Sequence, residues 1–243
     1  MGAGLGWVVW ILSAAYPVQA WGSTPTEPVA DLYARVLRTH VGLGLAFRDD
    51  PVLHFRYLRR VPSEPARTHV YLRRGGDRFV EVRQGDVVTL RLGIVGDRAW
   101  ARGVQSALDP DHVREQADRL GAAVLGPVVR LPPLEAVRTG VKEIPCAVAG
   151  LRAVSVTTDD RAPPLLLSVD PDSGRVVIAE VAIGGTRLRW NYGRWKVLGD
   201  GRAVPLEVSV IRGEEVVDRI DVDVFDTAPV VPEAWFRGSD TGD

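Results

Sequence analysis

The most regular pattern in the chain lies between Leu165 and Phe225, where short alternating apolar runs each close on a turn signal. Val177, Ala179 and Val181 alternate before Gly184-Gly185, and Leu188, Trp190 and Tyr192 before Gly193. Val204, Leu206, Val208 and Val210 follow, ahead of Arg212-Gly213-Glu214. Ile220, Val222 and Val224 then alternate with Asp221 and Asp223, which sets the carboxylates on the face away from the core. Apolar runs joined by short polar turns are antiparallel neighbours, so the stretch predicts a meander.

The first half repeats the pattern. Leu53, Phe55 and Tyr57 alternate with His54, Arg56 and Leu58, and Pro62-Ser63-Glu64-Pro65 turns the chain into His69–Arg73. Phe79–Val82 and Val87–Ile94 follow, and Gly96-Asp97-Arg98-Ala99-Trp100 launches one more short strand. The last strands are expected from Cys146 onward. A sheet with one apolar face must cover it, and two interruptions supply the cover. Val29, Leu32, Tyr33, Val36, Leu37 and His40 form one helical stripe, started by Thr26, Glu27 and Pro28 and ended by Gly42 and Gly44. After Asp109-Pro110-Asp111, Val113, Ala117, Leu120 and Val124 share a helical face up to Gly126-Pro127, and a second piece runs from Leu134 to Arg138, ended by Gly140.

The expected fold is therefore α+β, mainly β. It is a curved antiparallel sheet, an incomplete β-barrel, with an N-terminal helix and a short helical lid over its concave face. Residues 1–20 read as a signal peptide: Leu5–Ala15 is apolar, Pro17 breaks it, and Val18-Gln19-Ala20 is a small-x-small cleavage site. The apolar run is too short to span a bilayer before Pro17. Residues 21–28 read as a linker, 29–236 as a single domain and 237–243 as a flexible tail.

Composition narrows the function. The 243 residues carry 30 basic and 31 acidic side chains, a net charge of −1, which argues against nucleic acid as a partner. The arginine runs Arg56, Arg59-Arg60 and Arg73-Arg74 have acidic residues close by and read as a solvated face. Cys146 is the one cysteine, so no intrachain disulfide and no cysteine metal site can form. His40, His54, His69 and His112 lack pairwise ligand spacing, although His54 and His69 could meet across a hairpin. No G-x-S-x-G, phosphate loop or dinucleotide fingerprint occurs. Asp170-Pro171-Asp172-Ser173-Gly174 lacks the later glutamate of a calcium loop and reads as a turn. The expectation is a protein with no catalytic residues, no metal and no cofactor.

Apolar and aromatic residues remain. A lidded half-barrel leaves room for an apolar ligand, and the residues expected to line it are Phe55, Tyr57, Trp100, Leu120, Leu134, Trp190 and Tyr192. The alternative for each is that it fills the core.

The order of elements resembles the LolA/LolB/LppX-like family of periplasmic lipoprotein carriers. The likeness is carried by the helix DLYARVLRTHVGL, the meander leading into GDRAW and the helical interruption at 109–138. It continues through LLLSVDPDSGRVVIAEV, LRWNYGRWKVLGDGRAVPLEVSV and the closing VDVFDTAPVVPEAWF. The resemblance implies an incomplete barrel with helices plugging a hydrophobic cavity for acyl chains. It implies an exported, periplasmic carrier or sensor whose partner is a lipid, acyl chain or lipoprotein, without a stable membrane span after signal cleavage. The alternative is a cell-envelope protein-interaction module with a fully packed core and no ligand.

Overall fold

The computed structural model describes residues 27–49, 52–102, 110–137, 140–158, 163–227, 229–231 and 235–236. The expected signal segment, most of the linker, the Asp109 cap and the tail 237–243 lie outside the described residues.

Among the described residues twelve strands make one antiparallel sheet. In chain order they are β1 (Val52–Arg60), β2 (Arg67–Arg74), β3 (Asp77–Gln84), β4 (Val87–Val95), β5 (Arg98–Arg102) and β6 (Val141–Ile144). The second series continues with β7 (Arg152–Val156), β8 (Leu165–Val169), β9 (Val176–Ile183), β10 (Thr186–Val197), β11 (Ala203–Arg212) and β12 (Glu215–Asp226). The spatial order is β5-β4-β3-β2-β1-β12-β11-β10-β9-β8-β7-β6. Two meanders thus meet at a β1–β12 seam, and among the described residues β5 and β6 stay as open edges, so the barrel is incomplete.

Helices α1 (Val29–Asp49) and α2 (Pro110–Leu120) cover one face, helped by 3-10 segments at Ala122–Val129 and Leu134–Val137. The stripe predicted for α1 is buried through Leu32, Tyr33, Val36 and His40. Four differences from the sequence reading have local causes. Helix α1 runs through Gly42 and Gly44 to Asp49, because a glycine in a helix costs only about 1 kcal/mol and does not by itself stop it. Helix α2 stops at Leu120 rather than at Gly126-Pro127, and Gly121 just after it lies against the Tyr71 ring. Strand β6 precedes Cys146. Strand β10 continues through Gly193, and Arg194 at φ 42° resets its alternation. Arg194 therefore points outward to Glu207 and Asp221, while Trp195 turns in against Tyr192 and His40.

Register fixes which side chains meet. On the covered face Phe55 pairs with Tyr71 and Phe225, and Tyr57 with His69 and Val222. The register slips at Arg56/Tyr57, so Phe225 rather than the expected Val224 continues the buried row of Ile220 and Val222. Asp221 and Asp223 do face outward, ion-paired with Arg60 and Arg56. The outer face is laced further by Glu81, which accepts from Arg83 and Arg91, and by Glu180 with Arg187 and Arg189.

One part of the outer face is not solvated. Val70, Leu72, Phe79 and Trp100 make a second apolar cluster, closed by Val231 and Phe236 from the end of the chain. The Arg74 guanidinium stacks over the Phe236 ring at 4.6 Å. Strand β2 is consequently buried on both faces along Val70–Leu72, with His69 and Arg73 buried as well. The arginine runs thus do not form one solvated face: Arg73 is buried and Arg59 lies on the covered face with Asp218.

Candidate functional site

The covered face is the candidate site, and the way its lid is held defines it. Between α2 and β6 the chain crosses the sheet as short pieces broken at Gly121, Gly126-Pro127 and Pro132-Pro133. Lid residues Val113, Ala117, Leu125, Val128, Leu131 and Val137 are buried with the sheet's core.

No strand pairing holds the described lid residues. Aromatic side chains from α1 and the sheet fasten them at separate points. The Tyr33 hydroxyl donates to the Pro132 carbonyl and the Tyr57 hydroxyl to the Leu120 carbonyl, both at 2.7 Å. The Tyr71 ring seats against Gly121, and the Trp190 indole against Gly126. Gly126 has φ 72° and ψ −151°, a conformation open to glycine, and a Cβ there would lie 2.5 Å from the indole nitrogen. Burial raises the pKa of Tyr33, Tyr57, Tyr71 and Tyr192, so all four keep their protons at neutral pH. Tyr33→Phe is expected to cost about 1 kcal/mol, the usual net value of one such hydrogen bond, as a lowered urea midpoint. An unchanged midpoint would show that the Tyr33–Pro132 fastening contributes nothing.

Helix α1 is anchored at the opposite end. The Val176 N–H, at the start of β9, donates to His40 Nε2 at 3.0 Å. Arg35 reaches the Asp172 carbonyl at 3.1 Å in the turn before it. Within that turn Ser173 donates to Asp170, so the 170–174 motif is a hydrogen-bonded turn and a dock for α1. Desolvation pushes the His40 pKa down to about 4, with Arg175 adding to it and the Ala203 and Gly174 backbone opposing. The imidazole is neutral at pH 7.

A polar group interrupts the apolar face near the lid. His69 is 3% exposed, stacks on Tyr57 with ring centres 4.7 Å apart, and has no hydrogen-bond partner at either ring nitrogen among the described residues. Burial lowers its pKa to about 4, helped by Arg59 and Arg67. Next to Tyr57 on the same face, Arg59 Nε donates to Asp218 Oδ2 at 2.8 Å, while the buried Asp218 Oδ1 has no partner among the described residues. Leaving such atoms unpaired costs about 1–3 kcal/mol each.

The residues expected to line a cavity separate into groups. Phe55 and Tyr57 are fully buried on the covered face, Tyr192 is buried in the same core, and Leu120, Leu134 and Trp190 pack against it. Trp100 is elsewhere. It pairs with Gly93 across β4–β5, packs on Phe79 and belongs to the outer cluster. Its expected place on the covered face is corrected: Ala99 and Ala101 take the inward positions of β5, opposite Ile94 and Leu92. His54 and His69 also fall on opposite faces, since Leu72 pairs with one and Tyr57 with the other. Among the described residues no three of His, Cys, Asp and Glu converge as a metal site, and no helix is long and apolar enough to cross a membrane.

Sequence reasoning missed Tyr33 and Tyr71 as lid fasteners, and His69, Arg59 and Asp218 as a polar group. The sequence reading sets His69 opposite His54 and Arg59 on a solvated face, and nothing in it places Asp218 on the covered face.

The fold and site together define a class: an open antiparallel half-barrel whose apolar face is closed by a fastened helical lid. No family model matches the sequence, and no curated protein matches it. Solved structures of similar arrangement include a LolA superfamily protein from Nitrosomonas europaea, 13% identical, with TM-score 0.48, covering 86% of this chain and 97% of that one. A putative outer membrane lipoprotein-sorting protein domain from Vibrio parahaemolyticus is 9% identical, with TM-score 0.48 and coverages of 86% and 95%. The Mycobacterium tuberculosis lipoprotein LppX is 9% identical, with TM-score 0.33 and coverages of 83% and 97%. At such identities and TM-scores below 0.5 the likeness is one of general arrangement and says nothing about ligand or partner.

Proposed function

We propose that this protein is an exported carrier or sensor that takes the acyl chain of a lipid or lipoprotein between the covered sheet face and its lid. The observation that carries the reading is the fastening of the lid. Hydroxyl-to-carbonyl bonds and ring-on-glycine packing hold it at Leu120, Gly121, Gly126 and Pro132, while its own chain is broken at glycines and prolines. Such a cover can lift piecewise without unpairing a strand. The face beneath it is apolar through Leu53, Phe55, Val80, Val82, Leu92 and Ile94. An acyl chain gains about 0.8 kcal/mol per buried CH₂, so even a partly inserted chain offsets the release of these fastenings when the lid moves.

The test is native mass spectrometry of the mature chain, from Trp21, isolated from a bacterial periplasm, followed by organic extraction. An added mass that extracts as a lipid or fatty acid is the expected result. A clean unliganded mass, with no uptake of a fluorescent fatty acid, would overturn the reading.

A further inference from the structure

Across β2 to β5 the outer face carries an apolar row between charged ones. Register sets Leu72, Phe79, Gly93 and Trp100 side by side, one from each strand. They cross about 14 Å of sheet, three strand spacings. The Trp100 ring lies over Gly93, where a Cβ would fall 2.2 Å from it. The row above holds Arg56, Val70, Glu81 and Arg91, and the row below Arg74 and Asp77. Ion pairs join Arg56 to Asp223, Arg91 to Glu81 and Arg74 to Asp77. A sheet face that needs only to meet water would carry such pairs here too. An apolar centre inside a charged rim is instead the anatomy of a protein-binding surface.

The end of the chain already sits on this row. Phe236 is buried, with the Arg74 guanidinium over its ring, and Val231 packs against the same cluster. Trp235 lies on Phe79 with ring centres 5.7 Å apart, yet remains 41% exposed, and Val230 is fully in water. Among the described residues no backbone hydrogen bond ties 229–231 or 235–236 to the sheet, and no strand of theirs joins it. The Trp100 indole N–H is buried in the row without a partner among the described residues, so the seated end does not satisfy the row completely. One buried ring holds the segment, and a second ring is only half engaged.

We propose that this row is a docking site for an extended segment of another protein, and that the chain's own end occupies it in cis. The seated end is the template for that partner. The segment carries a β-branched residue and, five positions on, an aromatic ring that slides beneath Arg74, preceded by a second ring for Phe79. It is held by side chains laid across four strands, not by a strand added to an edge. The partner has to displace the cis occupant, so its apparent affinity is lowered by the fraction of molecules whose end is seated. The row lies on the face opposite the lid, and the proposal does not depend on the acyl-chain reading.

The probe is a synthetic peptide of residues 227–243 with a fluorescein label, titrated by anisotropy against the mature chain. The unsubstituted chain should bind it saturably, and a probe carrying Phe236→Ala should bind about tenfold more weakly or worse. Phe236→Ala in the chain should tighten binding of the unaltered probe about tenfold or more, because the tethered competitor at high effective concentration is gone. Sedimentation should find the chain a monomer. No saturable binding to the unsubstituted chain would mean a permanent cover and overturn the proposal. Equal binding of the two probes would overturn it as well, and neither result relies on a variant's folding. So would one affinity for the unsubstituted chain and a folded Phe236→Ala chain. A dimer that the unlabelled peptide dissolves would assign the row to the end of a second copy instead of to a partner.

Discussion

Gly126→Ala is expected to destabilise the protein by about 3–4 kcal/mol, with the damage concentrated in the lid. Two costs combine at this position. The backbone sits at φ 72° and ψ −151°, where an alanine pays about 1–3 kcal/mol of strain. The new methyl also falls 2.5 Å from the Trp190 indole nitrogen, and overpacking of that kind costs about 1–3 kcal/mol. Gly75→Ala is the matched control: its φ is 56°, yet nothing lies within 4 Å of its Cβ position, so only the conformational cost applies. Urea unfolding gives the two differences, and hydrogen exchange shows where each falls. In Gly126→Ala, amides of 110–137 should exchange faster while the strand amides keep their protection. If Gly126→Ala costs no more than Gly75→Ala, the indole does not pin the lid.

Acid is expected to loosen the protein before its carboxylates protonate. His40 and His69 are both pushed by burial from the ordinary 6.5 to about 4. In the unfolded chain they take up protons near 6.5; in the folded chain they do so only near 4. Stability is therefore full above 6.5 and falls as pH drops through that interval, by about 1.4 kcal/mol per pH unit for each histidine. The loss is about 3 kcal/mol apiece, which together rivals the ~5–15 kcal/mol that holds a typical domain folded. Glu143 and Asp170 shift the same way in sign: Arg152 lowers the first and Ser173 the second, so their contribution disappears only at lower pH. Thermal midpoints measured from pH 7.5 to 4.5 should drop steeply, and His69→Phe should remove about half of the drop. A flat profile over that range would mean that neither imidazole is held neutral.

Most of the sheet was legible because its turns are spelled in glycine, aspartate and proline, and because Asp221 and Asp223 mark the outer side of β12. What was not legible lies where local pattern stops determining the face. Alternation places Trp100 on one side of β5 without saying which. The side is decided by Gly93 across the ladder and by Phe236 from the end of the chain, and neither is close in sequence. Strand β2 is buried on both faces for the same reason, which its sequence does not announce. The reset at Arg194 is a single backbone angle with no signature in its side chain. For the site, the aromatics were visible as residues, and their work was not. Tyr57 and Trp190 were expected to line a space, and their contacts with backbone at Leu120 and Gly126 were not foreseen.

The β1–β12 seam separates two kinds of folding. Every other neighbour in the sheet is also a neighbour in sequence, so each meander can zip from its own turns at little entropic expense. The seam must bring together partners such as Arg56 and Asp223, 167 residues apart in the chain. Loop-closure entropy grows with that span, and within the sheet the single β1–β12 ladder is what offsets it. The two half-sheets are therefore the natural early units, and their joining is the late step. The apolar face of each half stays open to water until then. The lid, which follows β5 and precedes β6, is the link between the halves, and its span sets how far apart they can drift before they meet.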